Sequence, residues 1–262
     1  MTSAALHVAR TGLDAQQQRM QVIANNIANV NTTGFKSDRA NFQTLAYQQI
    51  TQPGATSQGD DQYATGTSLG TGVQFVSTSR SDTQGSLQQT GNALDVAIQG
   101  NGFFQVQMPD GTTAYTRDGS FSLSSTGQIV TSDGKPVVPN MNIPDGATGV
   151  TIGSDGTVSA TVAGSATPTE IGKLQLARFV NPGGLQDLGN NLLAQTQASG
   201  EPQVGDPGTE GRGSVVQGSL ESSNVSVVEE LVDMIETQRA YEVNSKMISA
   251  TDQMLQYLNQ NV

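Results

Sequence analysis

The sequence predicts an α+β fold: long N- and C-terminal helices pairing as a coiled coil, extended linker segments, and a central antiparallel β domain. Three observations predict it. Chain breakers crowd the middle, since no Pro precedes Pro53 or follows Pro207 and the last Gly is Gly218. Apolar residues recur every seven positions at both ends. Between the ends the period falls to two, punctuated by Asp-Gly pairs.

The N-terminal core helix is expected over 1–35. Leu6, Leu13, Met20 and Ile27 form one row, and Ala9, Gln16, Ile23 and Val30 a second. Together they make an a/d seam, in which Gln16 is the polar exception that fixes register. Gly12 costs such a helix roughly 1 kcal/mol relative to Ala. The helix stop is read at Gly34 and Phe35: Gly34 takes a left-handed C′ position, and Phe35 touches Val30 in a Schellman cap.

The stretch ANNIANVNTTGFK (24–36) carries Asn25, Asn26, Asn29 and Asn31, and no charge falls between Arg19 and Lys36. Water-facing coiled coils normally carry Glu and Lys at their flanks. Amides donate and accept together, so these are expected to meet the amides of identical neighbouring chains.

Residues 36–91 are rich in Gln, Thr, Ser and Gly and read as an extended or β connecting segment. The β domain follows over 92–200. ALDVAIQ (93–99) and FFQVQ (103–107) alternate, and Gly100-Asn101-Gly102 between them reads as a tight hairpin turn. Asp-Gly pairs at 110, 118, 133, 145 and 155 separate the strand candidates TAYTR, SFSLS, QIVTS, GVTIG and TVSATV. A second connecting segment, 201–224, runs beside the first.

The C-terminal core helix, 225–262, pairs with 1–35. Val227, Met234, Tyr241, Ile248, Leu255 and Val262 are spaced by seven, and Val228, Leu231, Ile235, Met247, Met254 and Leu258 widen the stripe. Ser226 and Glu229 form a capping box, and Glu229, Glu230 and Asp233 sit near the positive end of the helix dipole. Such a helix is about 50 Å long at ~1.5 Å per residue.

Composition excludes several functions. With 12 Lys+Arg against 23 Asp+Glu the net charge is −11, which repels phosphate backbones, so no nucleic acid partner is expected. There is no Cys, hence no disulfide framework and no thiolate metal site. No run approaches the ~18 apolar residues of a membrane span. The N-terminus lacks the pattern of a cleavable signal. His7, the sole histidine, has no local partner and reads as helix surface. Gly100-Asn101-Gly102 begins like a dinucleotide loop, but Gln105 stands where the third glycine belongs. The Asp-Gly carboxylates read as turns rather than as calcium or glycoside chemistry. Arg239 and Glu236 can pair along their helix and, with Tyr241 and Glu242, are assigned to contacts between subunits. No catalytic residue, cofactor, metal or small-molecule substrate is expected.

ANNIANVNTTGFK closely resembles the N-terminal motif of bacterial flagellar axial proteins of the rod and hook. SSNVSVVEELVDMIETQRAYEVNSKMISATDQMLQ (222–256) resembles their C-terminal motif, and LDVAIQGNGFFQVQMPDGTTAYTRDGSF (94–121) their β-domain signature. YQQITQPGATS (47–57) and GTGVQFVSTSRSDTQGSLQQTGNALDVAIQG (70–100) point within that family to the distal rod.

The resemblance implies a structural subunit that leaves the cell through the flagellar type III export apparatus, without a cleaved signal peptide. It polymerises into a helical tube that transmits torque across the periplasm, with the paired terminal helices as the inner core. Implied partners are copies of itself, proximal rod proteins, the hook or hook–rod junction, and the bushing rings of the peptidoglycan and outer membrane. A proximal rod or short hook-type subunit is the nearest alternative, and a secreted β-rich carbohydrate-binding protein the alternative from another class. The residues expected to pack the core helices are Leu6, Leu13, Met20, Ile23, Asn25, Asn26, Ile27, Asn29 and Val30 with Leu231, Met234, Tyr241, Ile248 and Leu255.

Apolar seams without partners do not hold single helices, so the termini of dilute monomer are expected to gain helix on assembly. Circular dichroism tests this: roughly sixty stably helical residues in dilute monomer would count against it.

Overall fold

The structure is a computed structural model. It describes residues 2–54, 56–58, 61–62, 64–162 and 167–260, with side chains except at 2, 3, 56–58, 61, 62, 255 and 258–260. The described residues include a helix near each end, α1 (Thr2–Ala28) and α2 (Val227–Gln260), and antiparallel strands between them. The chain divides into two compact units. One gathers Met1–Ile27, Asp38–Ser79 and Ser226–Val262; the other Ala28–Ser37 and Arg80–Val225.

The second unit is the β domain. Phe103–Gln107 is its central strand, with Thr113–Thr116 on one side and Leu176–Arg178 on the other. The sheet continues outward through Leu192–Ala194 and Gln186–Gly189 at one edge and Gln203–Gly205 at the other. A separate three-stranded sheet is built from Ala147–Ile152, Thr157–Val162 and Thr169–Lys173. The alternating runs supply the core: Val96, Ile98, Phe104, Phe121, Val137, Val158, Leu174, Leu176 and Val215 are all buried together. Phe104 and Phe121 meet edge to face with centroids 5.1 Å apart, the arrangement that ring quadrupoles favour.

The Asp-Gly signals divide. Asp110-Gly111 closes the hairpin between Phe103–Gln107 and Thr113–Thr116, and Asp155-Gly156 the hairpin between Ala147–Ile152 and Thr157–Val162. Gly111 and Gly156 both have positive φ, as such turns demand. Asp118-Gly119 makes no hairpin, because the flanking strands pair elsewhere. The expected hairpin at Gly100-Asn101-Gly102 is also absent. Val96–Gln99 pairs not with Phe103–Gln107 but with Ser214–Gln217, and Leu87–Gln89 pairs with Ser219–Glu221. The outgoing and returning chains thus run antiparallel beside each other.

The expected helix stop is corrected. α1 ends at Ala28, well before Gly34. Gly34 does adopt φ +70, but its N–H donates to the Glu221 carbonyl at 2.8 Å instead of capping the helix. A Cβ at Gly34 would lie 2.8 Å from the Arg117 carbonyl carbon, so close approach to the Arg117-Asp118 backbone, not a Schellman cap, requires the glycine there. Phe35 is half-buried, and its carbonyl accepts from Asn224 N–H at 3.4 Å.

A buried ionic cluster lies where these segments meet. The Glu221 carboxylate, 1% exposed, accepts from Lys36 Nζ at 2.5 Å and from Gly85 N–H at 3.0 Å. Arg117 Nε lies 3.0 Å from its second oxygen, a charge contact at an angle unsuited to a hydrogen bond. The Arg117 guanidinium donates to the carbonyls of Gly102 at 2.6 Å and Gly100 at 2.9 Å, which holds the Gly100-Asn101-Gly102 turn in place. Burial pushes the Lys36 and Arg117 pKa values down, opposed by the Glu221 charge.

Removing one partner of a buried pair leaves an uncompensated charge. Glu221→Leu is therefore expected to destabilise the β domain by about 3–5 kcal/mol. Glu210→Ala, which removes a carboxylate 79% exposed, should shift stability by no more than about 0.5 kcal/mol. Thermal or urea melts compare the two variants, and equal losses would defeat the argument.

Candidate assembly surface

The first unit holds both helices and, among the described residues, three two-stranded β ribbons, the smallest Thr56–Gln58 with Asp61–Gln62. Asp38–Thr44 pairs with Val73–Arg80, and Tyr47–Thr51 with Thr67–Gly70. Much of the segment read as extended or β is thus paired in antiparallel ribbons. α1 is anchored to the ribbons along one side. Thr11 Oγ1 accepts from Val73 N–H at 3.4 Å, and His7 Nδ1 lies 3.3 Å from the Thr71 carbonyl oxygen. Gly72, at φ +123, leaves room for Thr11, whose Oγ1 would stand 2.1 Å from a Cβ there.

On its other side α1 meets α2 antiparallel. Asn26 faces Glu230, Arg19 faces Asp233, and Gly12 faces Asn244. The contact row on α1 is Gly12, Arg19 and Asn26, spaced by seven. On α2 the inward row is Glu230, Thr237, Asn244 and Thr251, also spaced by seven, in which Thr237 is 1% exposed. These contacts run through small and polar side chains, and among the residues expected to pack the core helices Ile23 is buried and Ile27, Met234 and Ile248 are half-buried. Close approach explains the choice, because at Gly12 an added Cβ would already stand 3.0 Å from the Asn244 amide nitrogen.

Asn26 is the centre of this seam. It is 2% exposed. Its Oδ1 accepts from Asp38 N–H, and its Nδ2 donates to the Asp38 carbonyl and to Glu230 Oε1, each at 2.9 Å. Burial pushes the Glu230 carboxyl up from its usual range; the bond from Asn26 opposes this, and Asp233 and Glu229 add to it. Arg19 and Asp233, 3.4 Å apart and 36% and 50% exposed, add a weaker charge contact.

The predicted packing residues fall into distinct environments. Ile23 is buried, while Leu6, Leu13, Met20, Ile27, Asn29 and Val30 are half-buried. Asn25 is exposed. On α2, Met234 and Ile248 are half-buried, whereas Leu231 and Tyr241 are exposed. The side chains of Leu255 and Leu258, and all of Val262, lie outside the described residues. Beside Leu231, the exposed residues Val228, Val232 and Ile235 form a greasy face on the helix's first half; Val243, Met247, Met254 and Tyr257 continue the exposure toward its end. The sequence reading missed the polar heptad rows. Their signal was present as a second seven-residue spacing, masked by the apolar one.

Sequence profiles match three parts of the chain: flagella basal body rod protein at residues 6–36, flagellar hook protein FlgE/F/G D1 domain at 97–160, and flagellar basal body rod FlgEFG protein C-terminal at 216–261. The flagellar basal-body rod protein FlgG of Buchnera aphidicola subsp. Acyrthosiphon pisum is 54% identical over 255 residues, covering 97% of this chain and 98% of the relative. The chain belongs to the flagellar basal-body rod protein family. Relatives of the same name are 46% identical in Agrobacterium fabrum, over 98% of this chain and 99% of the relative, and 40% identical in Bacillus subtilis, over 97% of each. These are structural proteins of an axial assembly, so in this rod protein the helix faces, rather than a cleft, are the surface to weigh.

The Glu230 environment sets a pH dependence. Because folding raises this pKa, its contribution is greatest below the unfolded value and is lost as pH rises through the folded one. In Glu230→Gln the change in melting temperature between mildly acidic and neutral buffer should shrink, as calorimetry measures. An unchanged pH slope would refute the assignment.

Proposed function

We infer that this rod protein is a subunit of the distal rod: it self-assembles into a helical tube that carries torque between the proximal rod and the hook. The observation that carries the reading is the exposed apolar face of α2, where Val228 is 73% exposed, Val232 51% and Ile235 50%. Contiguous apolar surface of this kind on a chain that carries a net charge of −11 marks contact with other protein. A face that meets a different face on the next copy propagates without closing, which produces a helical filament. Each contact is modest, but many act together around a tube, and twisting the tube strains them all at once.

On this reading the apolar heptads that do not close within the chain close between chains as a coiled-coil core. The β domains then form the outer layer, against the bushing rings of the peptidoglycan and outer membrane. The subunit reaches the basal body through the type III export apparatus, without a cleaved signal. Proximal rod and hook proteins are its axial neighbours.

Leu231→Ser with Ile235→Ser tests this. The double variant should keep the monomer's circular dichroism spectrum and lose rod formation in vitro, and basal bodies from cells carrying it should end at the proximal rod. Normal polymerisation by the variant would overturn the packing argument. A labelled subunit located in the proximal segment by electron microscopy would overturn the distal assignment.

A further inference from the structure

We propose that Asn26 is the positioning residue that sets the register of α1 against α2, and through it where along α1 the exposed face of α2 is offered to neighbouring subunits; this rests on the assembly reading above. The seam is otherwise permissive. Slide α1 by one heptad and Arg19 comes opposite Glu230 while Gly12 comes opposite Thr237. A cation then faces a carboxylate, and a glycine faces a small polar side chain, much as before. Neither the charge contact nor the close approach distinguishes the two registers. Asn26 does, because its amide is bonded on two sides at once.

Toward Asp38 it acts as a strand backbone would, accepting from the N–H and donating to the C=O of the same residue, at 2.9 Å each. Toward α2 it donates to Glu230. A slip by one turn moves the amide about 5.4 Å, out of reach of both partners, and leaves buried polar groups unpaired. A single buried Asn in an otherwise apolar helix contact is a known means of fixing register. Here the same side chain also ties α1 to the start of the ribbon.

Register governs assembly because α2's inward row, Glu230, Thr237, Asn244 and Thr251, defines its outward row by exclusion. A slip by one heptad keeps the same rows facing each other but displaces the Val228–Ile235 face by about 10 Å along α1.

The chain has no cysteine, so Gln18→Cys with Gln238→Cys gives two unique spin-label sites, both exposed, one on each helix. Pulsed dipolar spectroscopy of the full-length chain, under conditions where circular dichroism shows both termini helical, should give one narrow distance. In the Asn26→Leu background a second population should appear a few Å longer, because labels that begin level with each other become offset along the axis by about 10 Å, one heptad at ~1.5 Å per residue. Asn26→Asp sets a carboxylate against Glu230 and should broaden the distances likewise. Adding Glu230→Gln to Asn26→Asp restores the bond to α2 with its polarity reversed, though not the bond to the Asp38 carbonyl, and should narrow the distribution in part, which a merely space-filling role would not.

Unaltered single distances in Asn26→Leu and Asn26→Asp would overturn the proposal, as would failure of the reversed pair to narrow the distribution. In polymerised samples, Asn26→Asp rods should differ from wild type in twist by electron microscopy, and rods of identical twist would also overturn it. Absence of rods from the wild type would instead count against the assembly reading, while the monomer distances still decide the register.

Discussion

The amide of Asn26 is the constraint on which the first unit depends. It substitutes for a strand backbone at Asp38 and reaches Glu230 with its remaining hydrogen. Each such bond contributes only about 0.5–1.5 kcal/mol net, but leaving a buried partner unpaired costs about 1–3 kcal/mol. The seam therefore gains little affinity and much specificity. It also leaves the apolar surface of α2 unused, with Val228, Leu231, Val232 and Ile235 outside. A helix pair closed by its greasy faces would have been a more stable monomer and a poorer subunit.

The β domain places its polar groups differently. Lys36, Arg117 and Glu221 are removed from water together, and the charges are matched by each other and by backbone groups of Thr83, Gly85, Gly100 and Gly102. Buried ion clusters of this sort are weak sources of stability, because desolvation offsets their attraction. Their geometry is exacting, though. Segments distant in sequence must arrive together before any of the charges is satisfied, so the cluster fixes how the chain enters and leaves the domain.

Much of this was legible from residue spacing. The alternation in FFQVQ and TVSATV located strands because side chains on a strand point alternately to its two faces, and Asp110-Gly111 and Asp155-Gly156 gave real hairpins. Both helices were evident from the heptads and the lack of breakers. What spacing could not give was pairing at long range. Nothing local in Gly100-Asn101-Gly102 says that Val96–Gln99 will bond to Ser214–Gln217 rather than to the next strand. Nor does Gly34 announce that its N–H will find Glu221.

The helix surface was half legible. Its neutral amides are unusual for a helix that faces water, and from spacing alone they point outward, toward sibling chains. At Asn26 the amide turns inward instead, bonded to the Asp38 backbone and to Glu230. Apolar periodicity identifies a helix and its greasy side. It does not say whether that side is buried at home or abroad.

The antiparallel pairing of 87–99 with 214–221 has a further bearing, on timing. A chain made from its N-terminus presents the first half of that pair long before the second exists, and contacts so far apart in sequence are slow to close. α1 waits longer still, since Glu230 and Asn244 are among the last residues to arrive. Nascent chain thus stays open until residues 214–244 have been made.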